Sequence, residues 1–276
     1  WTLIVYFPVA NWGWGGGWLG SMGLIDFAGG TVVHVTAGVG ALVTALVIGQ
    51  RKEFGQTATL PHNLTMSFTG AAMLWVGWFG FNAGSALAAD GAAGMALFVT
   101  HISAATGALT WMVIEWLKFG KPSGLGAITG MVAGLATITP ASGSVGPAGG
   151  LLVGLAGGII CYYATTYLKQ SLKIDDSLDV FPVHGVGGMV GTFLAGILVS
   201  SNLGIFSGNG LADGMTIGSQ LGVQVTGILA TGIYTAIVTF ILLKVVGALT
   251  SGIRITDEQE QVGCDITDHD EKGYSM

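Results

Sequence analysis

A chain of 276 residues with 51% hydrophobic residues, only 9% charged residues and 48 glycines is far from a soluble domain, which carries about 25% charge. The formal net charge of −6 sits almost wholly in Ser251–Met276, where seven acids face Arg254 and Lys272. The nearly neutral remainder excludes the basic footprint of a nucleic-acid binder. Cys161 and Cys264 form neither a disulfide framework nor a metal motif.

Eight apolar segments follow in order: 1–10, 30–49, 64–87, 92–117, 124–140, 147–168, 183–200 and 217–247. Crossing a bilayer takes about 20 apolar residues in a helix, and the alternating ten-residue pattern of a membrane barrel is absent. The fold class is therefore an all-α polytopic membrane protein. The first segment, opening on Trp1-Thr2-Leu3-Ile4, reads as the interior of an apolar helix, so an N-terminally truncated chain is expected. The breaks carry turn chemistry, as at Gly120-Lys121-Pro122-Ser123 and 201–214. Two parts are expected: a membrane domain over 1–250 and a polar tail over 251–276.

The nine lysines and arginines fix the orientation. Arg51, Lys52, Lys118, Lys121, Lys169, Lys173, Lys244, Arg254 and Lys272 all follow an even-numbered segment or, for Lys244, lie in the last turn of one, and the alternate loops contain none. Cytoplasmic loops collect Lys and Arg, so these ends and the tail are expected in the cytoplasm of a cell with the protein in its inner (cytoplasmic) membrane. The segments carrying His34 and His184 then run antiparallel, as in an inverted repeat with a site near the midplane. Asp26 before Val33-His34 and Asp179 before Val183-His184-Gly185 echo one another weakly. Glycines at 126/130/134, 80/84, 150/154 and 187/191 have the four-residue spacing that lets helices approach closely in lipid.

An ionisable side chain at membrane depth is costly and usually faces a pathway. The ordinary reading of one buried histidine is a bond to a helix carbonyl, and a metal would want a third ligand that no nearby His, Cys or carboxylate supplies. A neutral imidazole pair suits a small polar molecule in an apolar pore. Trp12, Trp14 and Trp18 lie in an outer loop, where they read as an interfacial belt or as a cation site. Phe81 and Ser85, four apart in the run Gly77–Ser85, share a helix face. Asp26, at the outer start of its segment, reads first as a helix cap. His62, His101 and His269 read as non-ligands.

Together these runs resemble the ammonium transporter family, the microbial Amt branch of the Amt/Mep/Rh superfamily. The matching text is Trp14–Gly17, Asp26–His34, Pro61-His62-Asn63-Leu64, Gly77–Ser85, Asp179–Gly185, and the tail from Asp257 to His269. The resemblance implies eleven helices in an inverted repeat, of which this chain covers about eight, and a homotrimer with one pore per subunit. It implies a transporter rather than an enzyme, without cofactor or metal. Trp14 and Ser85 resemble an external ammonium site, with Trp78 counted among the substrate-binding residues. Phe81 resembles half of a stacked phenylalanine gate, whose other half belongs to an earlier helix. His34 and His184 resemble the twin pore histidines, and Asp26 the aspartate that supports them. Thr267 aligns with a regulatory phosphorylation position, and a PII-type signalling protein is the implied partner at the cytoplasmic face. An ammonium sensor with weak transport is the alternative, and a membrane metalloenzyme the more distant one.

Overall fold

The computed structural model describes residues 1–56, 60–250 and 252–273. The expected domain boundary at 250/251 and the final three residues of the tail fall outside the described residues. Helix α1 starts in π geometry over Thr2–Tyr6 and continues as Phe7–Gly13, followed by the short α2, Trp18–Ser21. Then come α3 (Gly30–Ile48), α4 (Leu64–Gly84), α5 (Gly91–Phe119), α6 (Gly124–Ile138), α7 (Pro147–Ser171), α8 (Phe181–Leu198) and α9 (Ile217–Leu249). Two short helices, α10 (Asp257–Val262) and α11 (Cys264–Thr267), form the tail. Among the described residues there is no strand, and an isolated bridge joins Val145 to Gly208.

Six of these helices, α3, α4, α5, α7, α8 and α9, are long and apolar enough to cross a membrane. Two of the eight expected segments are shorter as helices. α6 runs for 15 residues, about 22 Å at 1.5 Å per residue, and continues as turns through Thr139 to Ser144. Polar side chains set the helix starts. Asn63 accepts from the Met66 N–H, Asp90 from Ala92 and Ala93, and Ser123 from Gly126, while Thr216 and Ser219 cap one another at α9. Gly120, at φ +75°, closes α5 in the left-handed conformation that a glycine takes without strain.

Small residues draw α5, α6 and α7 together. A Cβ on Gly130 or Gly134 would run into the α5 backbone at Gly107 or Ser103, and one on Gly154 would meet Ser103 from the other side. Helices associate in lipid by such close packing, since the lipid tails are as apolar as the side chains. The expectation fails at Gly80 and Gly84, where an added Cβ meets nothing, so that pair faces away from the packed interior.

The charged ends of several helices meet on one side of the bundle. Arg51, just beyond α3, donates from Nε and Nη2 to both carboxylate oxygens of Asp175 at 2.8 and 2.6 Å, and its backbone N–H adds a third bond at 2.9 Å. Lys169 pairs with Asp179 at 2.7 Å. Glu260 of α10 accepts from Arg254 at 2.9 Å and from the Lys52 N–H at 2.8 Å, tying the tail to the loop after α3. Burial pushes the Asp175 carboxyl up, but its bonds to the Arg51 side chain and backbone outweigh this and hold it below the ordinary aspartate value. A depressed carboxylate stabilises above its unfolded value, and the contribution is lost as pH falls through the folded value. Thermal stability of Arg51→Gln is therefore expected to trail the wild type by up to about 1 kcal/mol at neutral pH. The gap stays constant down to the ordinary aspartate range and closes below it; a gap that is already gone at pH 5 would reject the assignment.

Candidate functional site

Both histidines sit in widened helical turns. The first turns of α3, Gly30–Val35, and of α8, Phe181–Val186, are π-helical, with His34 the fifth residue of one and His184 the fourth of the other. Such wide turns inside helices are frequent at functional sites. The two segments cross at glycine. An ideal Cβ on Gly38, four residues after His34, would land on the Gly185 backbone, and one on Gly188, four after His184, would lie 2.8 Å from His34 Cβ. The crossing brings the imidazoles together, with His184 Nδ1 3.1 Å from His34 Nδ1. His34 is buried, and its Nε2 has no hydrogen-bond partner among the described residues. Gly38→Val is expected to cost at least about 3 kcal/mol, the upper end for an overpacked core, because both facing atoms are backbone. A melting temperature equal to the wild type would show that the crossing yields.

Each π-turn starts on an aspartate eight residues before its histidine. The buried Asp26 carboxylate accepts from Gly29 N at 3.0 Å, Thr31 N at 3.0 Å, Val32 N at 3.1 Å and the Thr31 hydroxyl, and also from Gly30 N. Asp176 does the same for α8 with one bond, to Phe181 N at 2.7 Å. The inverted echo therefore runs through Asp176, where the sequence suggested Asp179; Asp179 faces Lys169 instead. The misreading has a simple source: the residue nearest a motif is not the one whose side chain reaches the first free N–H groups of a wide turn.

A cavity of about 630 Å³ opens beside the histidines, walled by Val33, Ala37, Met73, Leu74, Trp78 and Phe81, with His34 and His184 supplying its polar atoms. Trp78 lies over both imidazoles, its ring 5.2 Å from His34 and 6.2 Å from His184, nearly parallel to each. Its indole N–H donates to the Thr139 hydroxyl at 2.9 Å, which fixes the ring from behind. Trp78 thus belongs to the histidine end of the cavity rather than to an outer cluster. Phe81 is one turn further, 6.1 Å from His34 and 5.7 Å from Trp78, and partly exposed.

The other sequence candidates lie further out. Trp14, at the end of α1, donates its indole N–H to the Asp26 carbonyl at 2.8 Å. Ser85 follows the last residue of α4 and donates to the Phe81 carbonyl at 2.8 Å. Among the described residues no hydrogen bond or ring contact joins Trp14 to Ser85. Trp12 packs on Trp18 and edge-on to Tyr234. His101 stacks on Trp75 at 5.2 Å, away from the histidine pair. Thr267 ends α11, exposed, with its hydroxyl 3.4 Å from Asp268 Oδ1. Among the described residues no group of three or more metal-ligating side chains occurs.

Two residues that frame the site are absent from the sequence reading. Gln224, in α9, donates to the Ile25 and Thr192 carbonyls at 2.8 and 2.9 Å and accepts from Ile25 N at 2.9 Å. Gln220, one turn earlier, bonds to Gln224 and to the Gly23 carbonyl. Together they hold the loop that presents Asp26. Their signal was two glutamines four apart in the charge-free stretch 215–243.

A model of the ammonium transporter family matches residues 1–274. The chain belongs to the ammonium transporter family. It is 44% identical over 274 residues to an ammonium transporter of Bacillus subtilis (strain 168), covering 99% of this chain and 67% of that protein. To ammonium transporter Amt1 of Archaeoglobus fulgidus it is 44% identical, covering 100% of this chain and 68% of that one. Its fold is similar to Saccharomyces cerevisiae Mep2 (TM-score 0.82, 39% identity, 93% of this chain and 61% of that chain). It is also similar to a sensor Amt protein (TM-score 0.86, 29% identity, 96% of this chain and 67% of that chain). The chain thus spans about two thirds of the length of its curated relatives. Membership makes it a multi-pass membrane protein of a transporter family and not an enzyme.

Proposed function

We infer that the protein takes part in moving ammonium across a membrane as neutral ammonia. The observation that carries this is the imidazole pair, 3.1 Å apart, presenting hydrogen-bonding atoms to an otherwise apolar cavity. Moving a cation through such walls costs far more than moving a neutral molecule, because burial of an uncompensated charge is prohibitive. Ammonium can shed a proton and cross as ammonia; potassium, of similar size, cannot. Trp14 and Ser85, the outermost candidates, would receive the cation by its ring face and hydroxyl oxygen. Phe81 would stand at the constriction where the proton leaves. Ammonia would then bond at His34 Nε2 and pass His184, with reprotonation at the far end, while Asp26 holds the α3 turn that aims His34. A fixed polar pair in a dry cavity lowers the barrier without a charge having to enter it.

The reading extends to a homotrimer with one pore per chain, in the inner membrane, with the tail beyond residue 250 cytoplasmic. Thr267 on that tail would be a modification site, and a PII-type protein would act at the same face. The similarity to a sensor Amt protein supports a second reading, in which transport is weak and the same site reports ammonium. The deciding experiment records the current evoked by an ammonium pulse on proteoliposomes adsorbed to a solid-supported membrane, with a potassium pulse as control and internal pH followed in parallel. An ammonium-specific current, or a pH change without current, is expected. Neither signal would remove transport and leave the sensor.

A further inference from the structure

We propose that a basic pocket at the charged end of the bundle binds a phosphate-class anion, distinct from anything the pore would carry. The pocket has a volume of about 570 Å³ and lies between the segment just after α3 and the last turn of α7. Arg51, Lys169 and Lys173 line it, together with the neutral donors Gln50, Gln170 and Ser177, and no carboxylate does. Two of these cations are already matched by acids outside the lining, Arg51 by Asp175 through three bonds and Lys169 by Asp179, which leaves Lys173 as the charge open to a ligand. Lys173 has no acidic partner among the described residues, so the lumen keeps an unmatched positive charge.

The backbone holds that charge in place. Lys173 has φ +55°, a conformation a lysine seldom adopts, and the Gln50 side-chain amide donates to its carbonyl. A strained residue fixed by a neighbour from another helix end is a candidate for function, and here the pocket supplies one. Arginine and lysine with neutral N–H and O–H donors are the groups that recognise phosphate oxygens. The pocket sits at the ends of two membrane-length helices, so an anionic lipid headgroup and a soluble phosphate compound are the two sources that could reach the same atoms. An anion there would bridge the end of the His34 helix to the approach of the His184 helix.

The test compares the wild type with Lys173→Asn, which removes the charge but suits a positive φ, and with Lys121→Gln, a lysine outside the pocket. Each protein is placed in nanodiscs of phosphatidylcholine with or without phosphatidylglycerol. Retained phosphatidylglycerol is counted by native mass spectrometry, and in pure phosphatidylcholine discs the thermal shift with inorganic phosphate is recorded. At least a fivefold loss of phosphatidylglycerol retention in Lys173→Asn, with Lys121→Gln unchanged, assigns the pocket to lipid. The same loss confined to the phosphate shift assigns it to a soluble anion. Equal binding of both probes by the wild type and Lys173→Asn, or no binding by either, overturns the proposal.

Discussion

Asp26→Ala is expected to destabilise the protein by about 3–5 kcal/mol and to abolish ammonium flux. The carboxylate accepts four backbone N–H bonds and one hydroxyl bond at the start of α3, in a buried setting. Truncation leaves those donors without a partner, and each orphaned buried donor costs about 1–3 kcal/mol. The total falls short of five such terms, because the alanine protein no longer pays for burying a charge and some donors regain partners by relaxing. Trp14 hangs from the Asp26 carbonyl and His34 from the turn that the carboxylate builds, so both candidate binding groups lose their position together. Asp26→Asn keeps the shape but gives up one acceptor oxygen, and its loss should be roughly half. Thermal unfolding in detergent measures the first effect and the ammonium-pulse current the second. An alanine variant that melts with the wild type would show that the carboxylate is dispensable to the turn.

Replacing both histidines with alanine is the second large effect, and it acts on flux rather than on folding. Each imidazole offers one hydrogen bond to a neutral molecule in the cavity, worth about 1 kcal/mol net. Losing both raises the barrier by about 2 kcal/mol, or roughly thirtyfold in rate. Stability should fall less than in Asp26→Ala, since His34 and His184 bond mainly to one another and an apolar replacement removes both partners at once. Glutamine at both positions restores donors and acceptors and should recover part of the flux. If the double alanine variant carries ammonium as fast as the wild type and still excludes potassium, the pair has no part in conduction.

Much of this architecture is legible in the order of residues. The apolar segments fall within a few residues of the helices, because length, glycine and capping residues mark their ends independently of the fold. Part of the charged end is legible too: Arg51, just after α3, meets Asp175 in the loop after α7, and Arg254 of the tail reaches the Ile48 carbonyl at the end of α3. What the sequence leaves hidden depends on rotation about helix axes. The four-residue spacing of Gly80 and Gly84 is the same as that of Gly130 and Gly134, yet only the second pair faces a neighbour. Trp78 and Ser85 share one short motif, yet one covers the histidines while the other caps the helix end. Gln220 and Gln224 stay invisible because their partners, the carbonyls of a loop almost two hundred residues away, have no sequence signature.

The glycine crossing of α3 and α8 sets a limit on speed. Where backbones touch at Gly38 and Gly185, and again at Gly188 and the Gly30 carbonyl, one helix cannot rock against the other without the contact opening. The centre of the site is therefore a rigid constriction, and the freedom left there belongs to side chains such as the partly exposed Phe81 ring. Exposed side chains turn over in picoseconds to nanoseconds, whereas helix and domain displacements take microseconds to milliseconds. Throughput at this pair would then follow encounter and proton release, with a shallow temperature dependence in place of the steep one that rearranging helices would impose.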